Sequence, residues 1–249
     1  MDSKAKPKSK IKLLKIVIAT FKQWLGEFNN YTKLVLVVAL PVAALTILQA
    51  DGNTGDFGLT MAFAWSFTII ALITYSTKKT GPKDAKIAGI YSAASGRFLQ
   101  YLGVSLIMIF FASPAVAGWL GILTALTQQQ SNSLILLALG ATGLVLSVYL
   151  LVRFSLAQVI TVGFQKTVLQ SLKDSSKLTK GNRLKVFIGF FILLLLVFLI
   201  ANGIQLLLSL SRVVNENAII NNMVYVIEAT IFLPILYVFQ LKLYEALNG

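Results

Sequence analysis

Six apolar stretches, each long enough to cross a lipid bilayer, are the feature that most restricts how this chain can fold. They run over 32–49, 59–76, 99–122, 134–152, 186–210 and 219–240. A membrane-spanning helix needs roughly 20 apolar residues. The strands of a membrane β-barrel are shorter and alternate apolar with polar side chains, and no such alternation occurs between Phe187 and Ile200. The sequence therefore predicts an all-α, polytopic membrane helix bundle of about six transmembrane helices.

The balance of charged and apolar residues favours the same class. The chain is 57% hydrophobic and 12% charged, whereas about a quarter of the residues in an ordinary soluble domain are charged. Too few polar residues remain to cover the surface of a soluble fold of 249 residues. The predicted domains are a basic N-terminus with a surface helix over 1–30 and a six-span domain over 31–249.

The positions of the basic residues predict an orientation. If the N-terminus is cytoplasmic, Arg212 is the one cation of 22 that falls on the outer side, where Asp51, Asp56 and Glu216 lie. Cytoplasmic loops of membrane proteins carry an excess of Lys and Arg, so both termini are predicted to be cytoplasmic.

A net charge of +13 also suggests nucleic acid as a partner. Because the cations lie between apolar spans, anionic lipid headgroups are the favoured partner and nucleic acid is not.

The residues before the first span predict an amphipathic helix over 11–28. One face carries Leu14, Ile18, Phe21, Leu25 and Phe28, and another carries Lys8, Lys12, Lys15 and Lys22. Such a helix is suited to the headgroup layer, which makes Lys12, Lys15 and Lys22 candidate contacts for anionic lipid. The alternative is a simple helical extension of the first span.

Helix-breaking residues divide each cytoplasmic segment from the outward-going span that follows. The predicted breaks are Asn29-Asn30, Gly96 and Gly181-Asn182, because Gly and Asn suit the left-handed position that ends a helix. The chain is therefore predicted to repeat a short surface helix followed by two spans three times. The alternative is that cytoplasmic loops of this size generally look alike.

The most distinctive stretch lies between 153 and 187. It contains Arg153-Phe-Ser-Leu-Ala157 and then a Ser-rich segment from Ser171 to Lys185 that ends in Leu-Thr-Lys-Gly-Asn-Arg-Leu-Lys. This pattern resembles bacterial integral membrane families related to the membrane domain found beside glycerophosphodiester phosphodiesterases, and their uncharacterised six-span relatives. The resemblance implies a multi-pass protein of a bacterial cytoplasmic membrane. Many members carry Pro and an acidic residue soon after the Ala, where this chain has Gln158. Since no hydrolase domain is expected here, phosphodiesterase activity is not carried over.

Two single residues are candidate functional positions. Glu228 lies near the middle of the last predicted span, where a charge costs roughly 2.5–3.5 kcal/mol. It is either a carboxylate on a transport path or a protonated Glu hydrogen-bonded to another helix, with Asn202 and Gln205 as plausible partners. Arg153 ends the fourth span, where it either binds lipid phosphate, fixes the next segment through backbone carbonyls, or serves as an ordinary basic anchor.

A basic face is predicted on the third cytoplasmic segment. Its members recur at helical spacing and are Lys166, Gln170, Lys173, Lys177 and Lys180. They are candidate contacts for anionic lipid, and the alternative is a solvated face.

Residues inside the spans also predict kinks and close packing. Pro41, Pro114 and Pro234 each fall within a predicted span, where proline kinks a helix. Small residues in the fourth span, Gly140, Ala141, Gly143 and Ser147, have the spacing of a close helix–helix contact.

The residues that most enzymes use are missing. The chain has no Cys and no His, which removes thiolate chemistry and the commonest general base and neutral metal ligand. Asp84 and Asp174 are isolated among lysines, and no cofactor or metal motif is present. The sequence therefore predicts a non-enzymatic integral membrane protein that acts with lipids, a partner protein or a second copy of itself. The alternative is a small transporter or permease subunit with a path near Glu228.

Overall fold

The computed structural model describes residues 12–48, 57–77, 86–127, 133–209 and 218–248, and every regular element within these ranges is an α-helix. In chain order these are α1 (Leu13–Gly26), α2 (Phe28–Leu48), α3 (Phe57–Thr77), α4 (Ile87–Ser95), α5 (Phe98–Thr127), α6 (Ser133–Phe154), α7 (Ala157–Gly163), α8 (Val168–Thr179), α9 (Arg183–Ser209) and α10 (Ala218–Asn248). Each of the six predicted apolar stretches falls on one long helix, apart from residues 49 and 210, which lie outside the described ranges. The all-helical prediction is confirmed.

Four of these stretches are long and apolar enough to cross a membrane. They are Phe98–Thr127, Leu134–Gly163, Arg183–Gly203 and Val226–Asn248, and the second takes in both α6 and α7. The apolar ranges found within α2 and α3 are shorter, Phe28–Ala44 and Ala62–Thr77. Four long apolar helices in one chain suggest a membrane-embedded protein.

The order of the helices follows the predicted repeat of one short and two long elements. α1 precedes α2 and α3, α4 precedes α5 and α6, and α8 precedes α9 and α10. The short helix α7, which follows α6, is an addition that the repeat did not predict.

The predicted helix breaks are correct at two positions and wrong at one. Gly96 ends α4, although in a right-handed conformation, and Gly181 follows α8 at φ 85°. The first break lies at Glu27 and not at Asn29-Asn30. Asn30 lies in the first turn of α2, where its side-chain amide donates to the Glu27 carboxylate at 2.8 Å. The single-residue break also separates α1 from α2, so α1 is a helix of its own and not a plain extension of the span.

The chain forms two compact units. The first comprises Met1–Gly96 with Leu184–Gly249, and the second comprises Arg97–Arg183. In the first unit α10 packs against α1, α2 and α3, and 44% of its most apolar stretch is buried. Phe239 of α10 is fully buried and meets the Phe190 ring edge-on at 5.2 Å. α10 is therefore the central helix of this unit.

α4 packs against α3, and a phenol also ties it to α2. The Tyr91 hydroxyl donates to the Leu34 carbonyl of α2 at 2.6 Å. Burial raises the pKa of Tyr91, so the phenol keeps its proton and remains a donor at neutral pH. This contact positions a short helix that buries only Ile90 and Ala94.

The second unit is built on close backbone contact between α5 and α6. A Cβ atom added at Gly140 would lie 2.5 Å from the Gly118 carbonyl oxygen, and one added at Gly143 would lie 2.5 Å from the Pro114 carbonyl oxygen. These distances leave no room for any side chain. The predicted close packing of the fourth span is confirmed, with Gly118 of α5 as its unforeseen counterpart.

Gly140→Ala should destabilise the second unit because the new methyl group meets backbone, which cannot rotate away. Overpacking of this kind typically costs about 1–3 kcal/mol. Gly121→Ala is the matched control on the same pair of helices, since its Cβ would lie 3.6 Å from the Leu136 carbonyl oxygen, an ordinary contact. Thermal unfolding in mild detergent should show a lower melting temperature for Gly140→Ala only. Equal melting temperatures for the two variants would contradict the close contact.

Candidate functional site

The break between α6 and α7 is held by hydroxyl groups of α8. The Leu156 backbone N–H donates to the Ser175 Oγ at 3.2 Å, and that hydroxyl donates to the Arg153 carbonyl at 3.1 Å. The Thr179 hydroxyl donates to the same carbonyl at 3.1 Å. Leu156, Ser175 and Thr179 are fully buried. A buried polar group without a partner costs about 1–3 kcal/mol. By pairing the backbone groups at the break, these hydroxyls lower the free-energy cost of interrupting the helix.

The sequence of α8 explains why it presents those hydroxyls inward. Thr167 and Gln170 form a reciprocal capping box that starts the helix at Val168. Ser171, Ser175 and Thr179 then recur every fourth residue and are all buried. Residues four apart share one face of a helix, so the small polar residues face the protein interior. Sequence reasoning noted this Ser-rich segment without recognising the four-residue period that marks its buried face.

The outer face of α8 is basic, as predicted, but smaller than predicted. Lys173, Lys177 and Lys180 are exposed. Lys166 does not belong to this face because α8 begins only at Val168. Its ammonium instead forms an ion pair with Asp174 at 2.5 Å. The inclusion of Lys166 among the residues of one helical face is therefore wrong.

Arg153 has a different role from the backbone contacts considered for it. Its Nε donates to the Ser176 Oγ at 2.8 Å, and its guanidinium lies 5.1 Å from the Phe154 ring centroid. Its own carbonyl, and not its side chain, fixes the segment that follows. Arg97 makes the kind of contact considered for Arg153, since its guanidinium donates to the Val162 carbonyl at the end of α7.

A second arginine contacts α6 one turn before Arg153. The Arg183 Nη1 donates to the Tyr149 hydroxyl at 2.7 Å, and the Arg183 guanidinium stacks 4.9 Å above the Tyr149 ring. Tyr149 and Arg153 are four residues apart on α6, which places them one turn apart on the same face. Sequence reasoning did not pair these residues because Arg183 and Tyr149 are 34 positions apart in the chain.

Helix α1 has three distinct faces. Ile16, Val17 and Thr20 are buried in the first unit, whereas Leu14 is 72%, Ile18 57% and Leu25 64% exposed. Lys12, Lys15 and Lys22 are exposed as well. At 3.6 residues per turn, the exposed apolar residues and the lysines fall on adjacent faces, and the buried residues occupy the third. The sequence predicted the apolar and basic faces but not the buried face.

A polar cluster at the start of α2 was also missed. The Tyr75 hydroxyl donates to the Glu27 carboxylate at 2.6 Å, and Asn30 donates to both. The side chain of Tyr31 is fully buried, and its hydroxyl oxygen lies 3.2 Å from the Ser76 Oγ. These contacts tie the end of α3 to the break between α1 and α2, so their role is structural.

The remaining candidates from the sequence are dispersed. Glu228 is half-buried on α10, between buried Val226 and Thr230. The Asn202 amide donates to the Phe198 carbonyl of its own helix at 2.7 Å. The Gln205 side chain and Asp84 lie outside what the structure describes. Asp174 is the partner of Lys166.

Comparisons with known proteins return nothing: no protein-family model, no curated protein and no solved structure matches this chain. Within the part of the chain that the structure describes, no three His, Cys, Asp or Glu residues come together as metal ligands. The resemblance to the phosphodiesterase-associated membrane families stays a prediction.

Ser175→Ala should destabilise the protein because it removes the partner of the buried Leu156 N–H and one donor to the Arg153 carbonyl. The expected loss is about 1–3 kcal/mol. Ser113→Ala is the matched control, since the exposed Ser113 hydroxyl donates only to a carbonyl of its own helix. Thermal unfolding in mild detergent measures both, and a Ser175→Ala variant as stable as Ser113→Ala would contradict the bridging role.

Proposed function

We propose that this chain is a six-span protein of a bacterial cytoplasmic membrane, with both termini in the cytoplasm and a non-enzymatic function in binding anionic lipids. The observation that carries the proposal is the adjacency of exposed apolar and basic faces on α1. The other supports are the lengths of α2 and α3 and the charge balance of the second unit.

The exposed faces of α1 match the two layers of a membrane interface. Leu14, Ile18 and Leu25 would be unfavourably hydrated in water, because burying a Leu or Ile side chain gains about 1.5–3 kcal/mol. In the headgroup region they reach the acyl boundary while the neighbouring lysines meet phosphate groups. The third face, with Ile16 and Val17 buried, keeps the helix attached to the first unit.

The lengths of α2 and α3 support the count of six spans. Each has 21 residues and is therefore about 31 Å long at 1.5 Å per residue. The hydrocarbon core of a bilayer is about 30 Å thick. Together with the four longer candidates, these two helices give six spans, and an even number keeps both termini on one side.

The charge balance of the second unit supports an anionic partner. Between Arg97 and Arg183 the sequence has seven cations and one acid, Asp174, which pairs with Lys166. Lys173, Lys177 and Lys180 are exposed on and just after α8. A basic residue near an anionic membrane surface gains about 1 kcal/mol. A partner protein or a second copy of the chain is the alternative counterpart.

A measurement of co-purifying lipid tests this function. The protein is reconstituted in nanodiscs of mixed phosphatidylglycerol and phosphatidylethanolamine, and the lipids it retains after detergent extraction are quantified. The wild type should enrich phosphatidylglycerol several-fold over the starting mixture. Changing Lys12, Lys15 and Lys22 together to Gln should lower that enrichment by half or more.

The control is Lys242→Gln, because the Lys242 ammonium already pairs with Glu245 at 3.1 Å. This variant should keep the enrichment of the wild type. A wild-type protein that retains the two lipids in the starting ratio would refute anionic-lipid binding.

A transport path along α10 is the second candidate, because Glu228 is a carboxylate inside the candidate span Val226–Asn248. Ionisable residues within a membrane mark substrate or ion pathways. Since the chain has no Cys, a single introduced cysteine reports water access without background. Under the lipid-binding function we expect Glu228→Cys to be as unreactive toward a water-soluble maleimide as Ile227→Cys, its half-exposed neighbour. Rapid labelling of Glu228→Cys alone would favour transport.

A further inference from the structure

We infer that Arg153, Arg183 and Tyr149 form one discrete site for the phosphate ester of an anionic lipid headgroup. The inference rests on the proposed lipid-binding function and gives it a location and a ligand chemistry. The site lies in the second unit, where the end of α6 meets α8 and Arg183, the last residue of the unit. It is separate from the exposed lysines of α8, which attract negative charge without fixing it.

The two guanidinium groups are fixed before any ligand binds. The Arg183 guanidinium stacks on the Tyr149 ring and donates to its hydroxyl. The Arg153 guanidinium lies against Phe154 and donates through Nε to Ser176. Because Tyr149 and Arg153 are four residues apart on one helix, their Cβ atoms are about 5–6 Å apart. Arg153 and the residue that holds Arg183 therefore lie one turn apart on the same face of α6.

Donor groups of both arginines remain for a ligand. A guanidinium carries five N–H donors, and each of these two makes one hydrogen bond to a side chain in the described structure. The Arg183 Nε is buried and lacks a hydrogen-bond partner among the described residues. That nitrogen is closed off from solvent, so the donors that remain for a ligand are on the terminal Nη groups of the two arginines.

The unit itself cannot supply the acceptor. Asp174 is its one acidic residue, and that carboxylate is already paired with Lys166. Two half-buried arginines with no acidic residue of their own unit available mark a place for an external anion. Because the anion must come from outside, the depth of the pair in the membrane decides which anions can reach it.

That depth and the shape of the donors favour a lipid phosphate. The predicted span ends at residue 152, whereas the candidate span continues through α7 to Gly163. Under the proposed topology the break after Arg153 is where the chain reaches headgroup level, and tyrosines such as Tyr149 are enriched at that interface. Guanidinium forks match phosphate oxygens in a bidentate manner, whereas an ammonium binds as a point charge. A phosphodiester headgroup offers two non-esterified oxygens, one for each arginine.

Native mass spectrometry of the full chain in mild detergent tests the site. The protein is titrated with phosphatidylglycerol, with a carboxylate lipid of equal charge and chain length (a diacylglycerol hemisuccinate), and with glycerol 3-phosphate. The wild type should bind one phosphatidylglycerol at least tenfold more tightly than the hemisuccinate lipid. Arg153→Gln and Arg183→Gln should each weaken phosphatidylglycerol binding tenfold or more, and Lys173→Gln should weaken it less than either. The control Lys242→Gln, whose ammonium pairs with Glu245, should change it less than twofold.

Conservative variants keep the test valid if either Gln variant fails to fold. Arg153→Lys and Arg183→Lys retain the positive charge, so they should fold, as circular dichroism would show. Because they lack the guanidinium that binds two phosphate oxygens, they should bind phosphatidylglycerol several-fold more weakly. Wild-type affinity in both Lys variants would overturn the arginine site. Arginine-dependent binding of glycerol 3-phosphate with no preference for the lipid would overturn the lipid assignment.

Two failures separate this inference from the proposed function. If phosphatidylglycerol is retained but Lys173→Gln weakens it as much as Arg153→Gln, the discrete site is wrong and diffuse attraction to anionic lipid stands. If the wild type does not prefer phosphatidylglycerol over phosphatidylethanolamine, the proposed function fails and this inference fails with it.

Discussion

The hydroxyl of Ser175 is the contact on which the break between α6 and α7 depends. It accepts from the Leu156 N–H and donates to the Arg153 carbonyl, so it serves both sides of a helix break. In an apolar surrounding, backbone groups freed by such a break need a partner. Once Ser175 supplies it, the orientation of α8 follows: its Ser and Thr face is inward, its lysines are outward, and Ser176 meets the Arg153 side chain.

Helices α1 and α8 reach a similar arrangement by different means. α8 buries its hydroxyls and exposes its lysines together with Leu169. α1 is three-sided, because an exposed apolar strip containing Leu14 and Leu25 lies beside its lysines. The difference lies in the exposed apolar surface: α8 has Leu169 near its lysines, whereas α1 has a strip of several apolar residues. Under the proposed function this strip of α1 contacts the acyl boundary.

The sequence was sufficient for features that depend on neighbours along the chain. The apolar stretches predicted the long helices because hydropathy is a local property. Gly181 predicted the end of α8 because glycine readily adopts the positive φ that it has there. It was insufficient where distant residues meet. The break at Glu27 depends on Tyr75 and Asn30, the Arg153 side chain meets Ser176 of α8, and Tyr149 meets Arg183. Helical periodicity alone specifies none of these pairs.

The glycine contact between α5 and α6 also fixes how the two helices align. Gly118 lies against Gly140, and Pro114 lies opposite Gly143. A slide of α6 by one residue would move its backbone about 1.5 Å and take Gly140 and Gly143 away from the carbonyl oxygens that they accommodate. Steric exclusion therefore sets the register of this pair without any polar interaction. Such a register is insensitive to salt, to acidity and to which lipids surround the helices.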